Sequence, residues 1–209
     1  MEFILNRNEK QILLIDGAVG KLEILVEKPT KKENNWVVIC HPHPSFGGTM
    51  NNKVVTSLQK SFQGLGYGTV IFNFRGVGLS VGEYDGGEGE QDDLVSVVDW
   101  LKENVEVDNL ILSGFSFGGY IALKKATALQ ASNLCIVAPA IELYDFSQIE
   151  IKIPWTLIQG GEDEVVSASE VIDWAMKQQV VPDIYWKSSS SHFFHKQLVW
   201  LKKVICLTY

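Results

Sequence analysis

The chain has 209 residues, 46% of them hydrophobic, a formal net charge of −7 and a pI of about 5.1. Such a length and apolar content suit one domain over residues 1–209 with a well-filled core, and the acidic balance argues against a dedicated nucleic-acid or anionic-membrane binder. No apolar run reaches the roughly 18 residues of a membrane span, and the N-terminus lacks the long apolar core of a secretory leader, so a cytoplasmic protein is expected.

In chain order, apolar β-branched runs at 11–16 and 21–27, joined through Asp16-Gly17, predict an antiparallel pair at a sheet edge. A third run at 36–40 leads into His41-Pro42-His43-Pro44-Ser45-Phe46-Gly47-Gly48, and a helical pattern follows at 54–64. The fourth strand-like run, 69–74, ends in Arg75 and a glycine-rich turn. Glu88, Glu90, Asp92 and Asp93 open the next helix, 91–103, where negative charge suits the helix dipole, and Arg75 is expected to pair with an acid within 83–93. A strand at 110–113 enters Gly114-Phe115-Ser116-Phe117-Gly118 and a helix at 119–130 leaves it. Strands at 134–138, 155–159 and 184–186 alternate with helices at 168–178 and 193–205. Alternation of this kind builds a largely parallel sheet with helices on both faces, with ligands outside the C-terminal strand ends.

The most informative segment surrounds Ser116. A serine held on a strained strand-to-helix turn needs glycines two residues before and two after, because the backbones approach closely there. The following helix N-terminus offers free N–H groups, so the Phe117 amide can face a developing oxyanion. The plain alternative is a tight turn with no chemistry.

A serine hydroxyl is a weak nucleophile until a base takes its proton, and the base needs a carboxylate to fix its tautomer. The chain order on such an elbow is Ser, acid, His. Two histidines lie downstream of Ser116: His192, in the loop after the eighth strand, is preferred, and His195 is expected to enter the last helix. For the acid, Gly160-Gly161-Glu162-Asp163-Glu164-Val165-Val166 places three carboxylates after the seventh strand. Asp163 is preferred because the Val-Val pair should anchor its turn, with the glutamates turned to solvent or to the next helix start; Asp145 is the reserve. In the His41–Gly48 stretch Pro42 and Pro44 have no N–H, leaving the His43 amide, or those of Ser45 and Phe46, as a second oxyanion donor. His41 and His43 lack further convergent ligands for a metal, so no metal and no cofactor are expected. Cys40, Cys135 and Cys206 are too widely spaced for a zinc site and are read as buried thiols.

Taken together, HPHPSFGGTMNNKVV at 41–55, FNFRGVGLSVGEYDGGEGE at 72–90, GFSFGG at 114–119, GGEDEVV at 160–166 and HFFH at 192–195 resemble the small, mainly bacterial members of the α/β-hydrolase superfamily. The resemblance spans about three quarters of the chain. It implies an α/β-hydrolase fold, an eight-stranded sheet with an antiparallel second strand, and a triad of Ser116, Asp163 and His192. The family tends to follow HFFH with glycine, where this chain has Lys196. Relatives in the wider superfamily carry a lid between the sixth and seventh strands, but only 139–154 is available here, so an extensive lid is excluded. An open site follows, with Phe46, Tyr84, Phe117, Tyr144, Phe146 and Phe193 as candidate walls. The expected activity is cofactor-independent hydrolysis of a carboxylic ester or thioester with a small-molecule or carrier-linked acyl group. Peptide or amide cleavage, acyl transfer and a non-catalytic binding role are the alternatives.

Overall fold

The central strands of this protein form because short runs of Val, Ile, Leu and Phe, bounded by turn residues, bury side chains on both faces of one sheet. The structure, a computed structural model, describes residues 10–31 and 33–209. The N-terminal residues 1–9, read above for a secretory leader, lie outside the described residues. Strands β1 (Lys10–Asp16) and β2 (Lys21–Glu27) form an antiparallel hairpin closed by the Gly17 N–H on the Gly20 carbonyl at 2.8 Å. Then come β3 (Asn35–Cys40), α1 (Lys53–Gly64), β4 (Gly68–Phe72), α2 (Gly89–Asn104), β5 (Asn109–Phe115) and α3 (Phe117–Lys125). The order closes with β6 (Asn133–Val137), β7 (Trp155–Gly160), α4 (Ala168–Ala175), β8 (Asp183–Lys187) and α5 (Leu198–Thr208).

The eight strands lie in the order β1-β2-β4-β3-β5-β6-β7-β8, with β2 antiparallel to both neighbours and all pairs from β4 onward parallel. This is the α/β-hydrolase sheet. In β3 the two-residue period sends Trp36, Val38 and Cys40 into a core beneath α2 and α3, and Val37 and Ile39 into a second core beneath α1 and α5. Because the chain steps from β3 outward to β4 and then back to β5 on its other side, the loops after β3 and β5 leave the sheet side by side; Cys40 pairs in register with Gly114. That is where such a sheet opens a crevice.

The largest departures from the expected boundaries, five residues each, are the start of the last helix and the end of the helix after Ser116. The last helix begins at Leu198, not 193, because Phe194 and Lys196 take left-handed backbone angles, φ 53° and 60°, that no α-helix accommodates; His195 therefore sits in a turn ahead of the helix. Helix α3 starts at Phe117 and ends at Lys125, with turns to Gln130 at φ 57°. The β6–β7 connection holds turns but no helix or strand, so no lid covers the sheet end there. Among the described residues no helix is long and apolar enough to cross a membrane.

Candidate active site

Ser116 occupies the bend between β5 and α3 at φ 55° and ψ −116°, an unfavourable conformation for a residue with a Cβ. Its N–H donates to the Val137 carbonyl of the neighbouring strand end at 2.9 Å, which helps hold the bend. Gly114 and Gly118 are required by the close approach: a Cβ on Gly114 would run into the Gly118 carbonyl, and one on Gly118 into the carbonyls of Cys40 and His41. The serine is thus wedged between its own helix and the loop after β3, and it is only 6% exposed.

The loops after β7 and β8 bring a carboxylate and an imidazole together. His192 Nδ1 lies 2.9 Å from Asp163 Oδ2 and 3.0 Å from Oδ1, with the two side chains 2% and 0% exposed. Asp163 Oδ1 also accepts from the Val165 and Val166 amides at 3.0 and 2.9 Å, and Oδ2 from Gln159 Nε2 at 3.0 Å. Burial pushes the Asp163 carboxyl up, but the hydrogen bond and charge of His192 and the two valine amides outweigh it, so the net direction is down and the anion is kept. With the anion accepting from Nδ1–H, Nε2 of the neutral imidazole is left as the basic nitrogen. Ser116 and His192 line one cavity; among the described residues Ser116 Oγ has no hydrogen-bond partner, an arrangement that bound substrate can tighten.

The loop after β3 is fixed by its two histidines. His41 is fully buried; its Nδ1–H donates to the Pro42 carbonyl at 2.6 Å and its Nε2 accepts the Phe74 N–H at 3.0 Å, tying the end of β3 to the segment after β4. Burial pulls its pKa down to about 4, so the ring is neutral. His43 Nδ1 accepts the Ser45 N–H at 3.1 Å, and the His43 carbonyl accepts the Phe46 N–H at 3.2 Å. Both alternative oxyanion donors are therefore used within the loop. Among the described residues, the His43 and Phe117 amides have no hydrogen-bond acceptor.

The cavity beside Ser116 measures about 200 Å³ and is walled by Pro42, His43, Phe46, Gly47, Gly48, Asn52, Phe117, Ala140, Leu143, Tyr144, Val165, His192 and Phe193. Phe46, Phe117, Tyr144 and Phe193 thus lie where the sequence placed a wall. Tyr84 and Phe146 do not. Tyr84 stands behind the wall, its ring centroid 4.7 Å from that of His43 and its hydroxyl 3.0 Å from the Tyr144 hydroxyl. Phe146, within the β6–β7 connection, is buried against Tyr120 and Trp174, because an aromatic with core neighbours on both sides gains more there than at an open cleft.

Other charged candidates have structural partners. Arg75 makes a forked ion pair with the buried Asp93, Nη2 to Oδ1 at 2.8 Å, and its own N–H donates to Asp93 Oδ2 at 2.9 Å. Asp145 accepts from the Ser147 N–H. Glu164 is exposed, as expected of a residue facing solvent, and its Oε2 also accepts the His192 N–H at 3.0 Å. Cys40 and Cys135 are buried, with thiol pKa values pushed up by desolvation, whereas Cys206 is exposed on α5, contrary to the expectation of three buried thiols: its helix position faces away from the sheet. Gln159 and Asn52 carry no expectation from the sequence, and the bond from Glu164 to the His192 backbone is not foreseen there. Only Asn52 had a legible signal, an amide just before a helical run, which suits an N-cap. Among the described residues, no group of three or more His, Cys, Asp or Glu side chains is placed to hold a metal.

Comparison with known proteins sets this geometry in a lineage. Residues 16–152 match the family described as X-Pro dipeptidyl-peptidase (S15 family). The chain is 37% identical over 205 residues to an uncharacterized protein of Rickettsia prowazekii, covering 92% of this chain and 86% of that one. A crystal structure from Xanthomonas campestris, described as an α/β serine hydrolase without lid, superposes with a TM-score of 0.90 at 38% identity, over 97% of this chain and 94% of that one. An α/β serine hydrolase homologue from Coxiella burnetii superposes with a TM-score of 0.91 at 40% identity, over 98% and 99%.

Proposed function

Starting from a chain that belongs to the S15 family of α/β-fold serine hydrolases, we propose that it cleaves small, uncharged carboxylic esters or thioesters through an acyl-enzyme. Ser116 Oγ attacks the carbonyl, His192 Nε2 takes its proton and returns it to the leaving group, and Asp163 holds the imidazole and balances its charge. The Phe117 and His43 amides receive the oxyanion, and water repeats the cycle on the acyl-enzyme. No cofactor enters the scheme.

The observation that carries the ester reading is the cavity wall. The described residues that form it include no Lys, Arg, Asp or Glu. An enzyme that removes N-terminal dipeptides must hold an ammonium group at a fixed distance from the scissile bond, and a desolvated cation needs a partner. An apolar cavity of about 200 Å³ serves an uncharged acyl group better. Family membership keeps peptide cleavage as the second reading.

The test is a matched panel of 4-nitrophenyl esters of two to eight carbons, the corresponding thioesters, and Xaa-Pro 4-nitroanilides. Higher kcat/KM on the short esters or thioesters, by at least about a hundredfold, supports the proposal. Preferential release of Xaa-Pro dipeptides overturns it in favour of a peptidase.

A further inference from the structure

Two polar side chains in the cavity wall are unaccounted for by the scheme above: Asn52 and His43. Asn52 is the N-cap of α1, and its side-chain oxygen accepts the Val54 N–H at 2.8 Å. That bond fixes the orientation of the amide, since the Val54 N–H must meet an oxygen. The Nδ2 group, with two N–H donors, has no partner among the described residues. His43 repeats the pattern: its Nδ1 accepts the Ser45 N–H, so the neutral ring carries its proton on Nε2, again without a partner among the described residues. In each case the acceptor is used inside the residue's own loop and the donor is left over. The remaining polar side chain of the wall outside Ser116 and His192, Tyr144, has its hydroxyl engaged with Tyr84.

A cavity that Ser116 shares with Asn52 and His43, whose N–H donors are spare, and that is otherwise largely apolar and without formally charged side chains, is complementary to an acceptor. Resting on the ester reading above, we propose that Asn52 Nδ2, assisted by His43 Nε2, is a specificity-determining donor for acyl groups carrying an ether or carbonyl oxygen near the scissile carbonyl. A plain alkyl acyl group would desolvate both donors and return nothing, which is the basis for discrimination. The cap bond makes the assignment rigid: rotating the amide to hide its donors would break the capping bond to the Val54 N–H.

The test uses two fluorophosphonates that differ by one atom, one with a propyl and one with a methoxymethyl group on phosphorus, and the isosteric pair phenyl butyrate and phenyl methoxyacetate. Labelling of Ser116 is followed by intact mass, and each rate is divided by the probe's own hydrolysis rate. Wild type is expected to prefer the methoxymethyl probe by about tenfold, the order of one hydrogen bond. In Asn52→Asp, which keeps the capping oxygen and removes both donors, the preference should fall to about one while the melting temperature holds or rises. A corrected ratio near one in wild type, or an unchanged ratio in Asn52→Asp, overturns the assignment. Labelling with the expected preference but no turnover of either phenyl ester would overturn the ester reading and leave the donor assignment standing. Turnover of both esters without preference would do the reverse, and a wild type that takes neither probe would overturn both.

Discussion

His192 Nδ1 and Asp163 Oδ2, 29 residues apart in sequence, meet at 2.9 Å where the loops after β8 and β7 run together. The contact is braced from both ends. Gln159 and the Val165 and Val166 amides hold the carboxylate, and Glu164 holds the backbone of His192. A base oriented this firmly is what a serine needs before it can attack.

Replacing Asp163 with Asn should lower kcat by about three to four orders of magnitude while the protein stays folded, since the imidazole loses both its tautomer control and its counter-charge. The carboxyl titrates below the ordinary 3.8, so the stabilisation it contributes is present above that pH and lost as pH falls through the lower folded value. The stability gap between wild type and Asp163→Asn should therefore close as pH falls below 3.8, measured by urea unfolding.

His41 predicts a second pH dependence, at higher pH. Its folded pKa of about 4 lies beneath the ordinary 6.5, so the unfolded chain binds the proton first. Stability is full above 6.5 and declines as pH falls toward 4, by roughly 3 kcal/mol for a shift of this size. His41→Gln should be less stable at pH 7 and flatter across that window. A variant as steep as wild type would contradict the neutral, buried role of the ring.

The Arg75–Asp93 pair should matter to the fold rather than to the substrate. Both side chains are nearly inaccessible, at 6% and 0% exposure, and Asp93→Asn leaves the buried guanidinium with only a 3.9 Å contact to the exposed Asp85 as its ion pair. The expected loss is about 3–5 kcal/mol in urea unfolding. A loss under about 1 kcal/mol would show that the guanidinium finds another partner.

Lys196 stands at φ 60°, where the related family favours glycine. Lys196→Gly should therefore stabilise by about 1 kcal/mol, relieved left-handed strain outweighing glycine's greater freedom in the unfolded chain. No change in the thermal midpoint would mean that the Lys196 backbone is not strained.

Much of this architecture was legible from local pattern. The strand-like runs at 36–40, 110–113 and 155–159 mark central strands because burial on both faces leaves them continuously apolar. Gly114 and Gly118 marked the bend because only glycine tolerates the carbonyls packed against it. What stayed hidden was non-local. Nothing in the sequence says that Glu164 reaches across to the His192 N–H or that Gln159 braces Asp163, since those contacts depend on how two loops converge. The aromatic character of Phe146 and Tyr84 was visible, but their depth was not: an aromatic side chain reads the same whether it faces a cleft or the layer beneath it. The start of α5 was misplaced because the left-handed turns at Phe194 and Lys196 fall on residues with no sequence preference for them.

The most direct probe of Ser116 as the nucleophile is reaction of purified wild type and Ser116→Ala with a fluorophosphonate, read by intact mass. One adduct on wild type, mapped to Ser116 and absent from the folded alanine variant, is the predicted result. Labelling that persists in Ser116→Ala, or a folded wild type that takes no adduct, would contradict an activated serine at this bend.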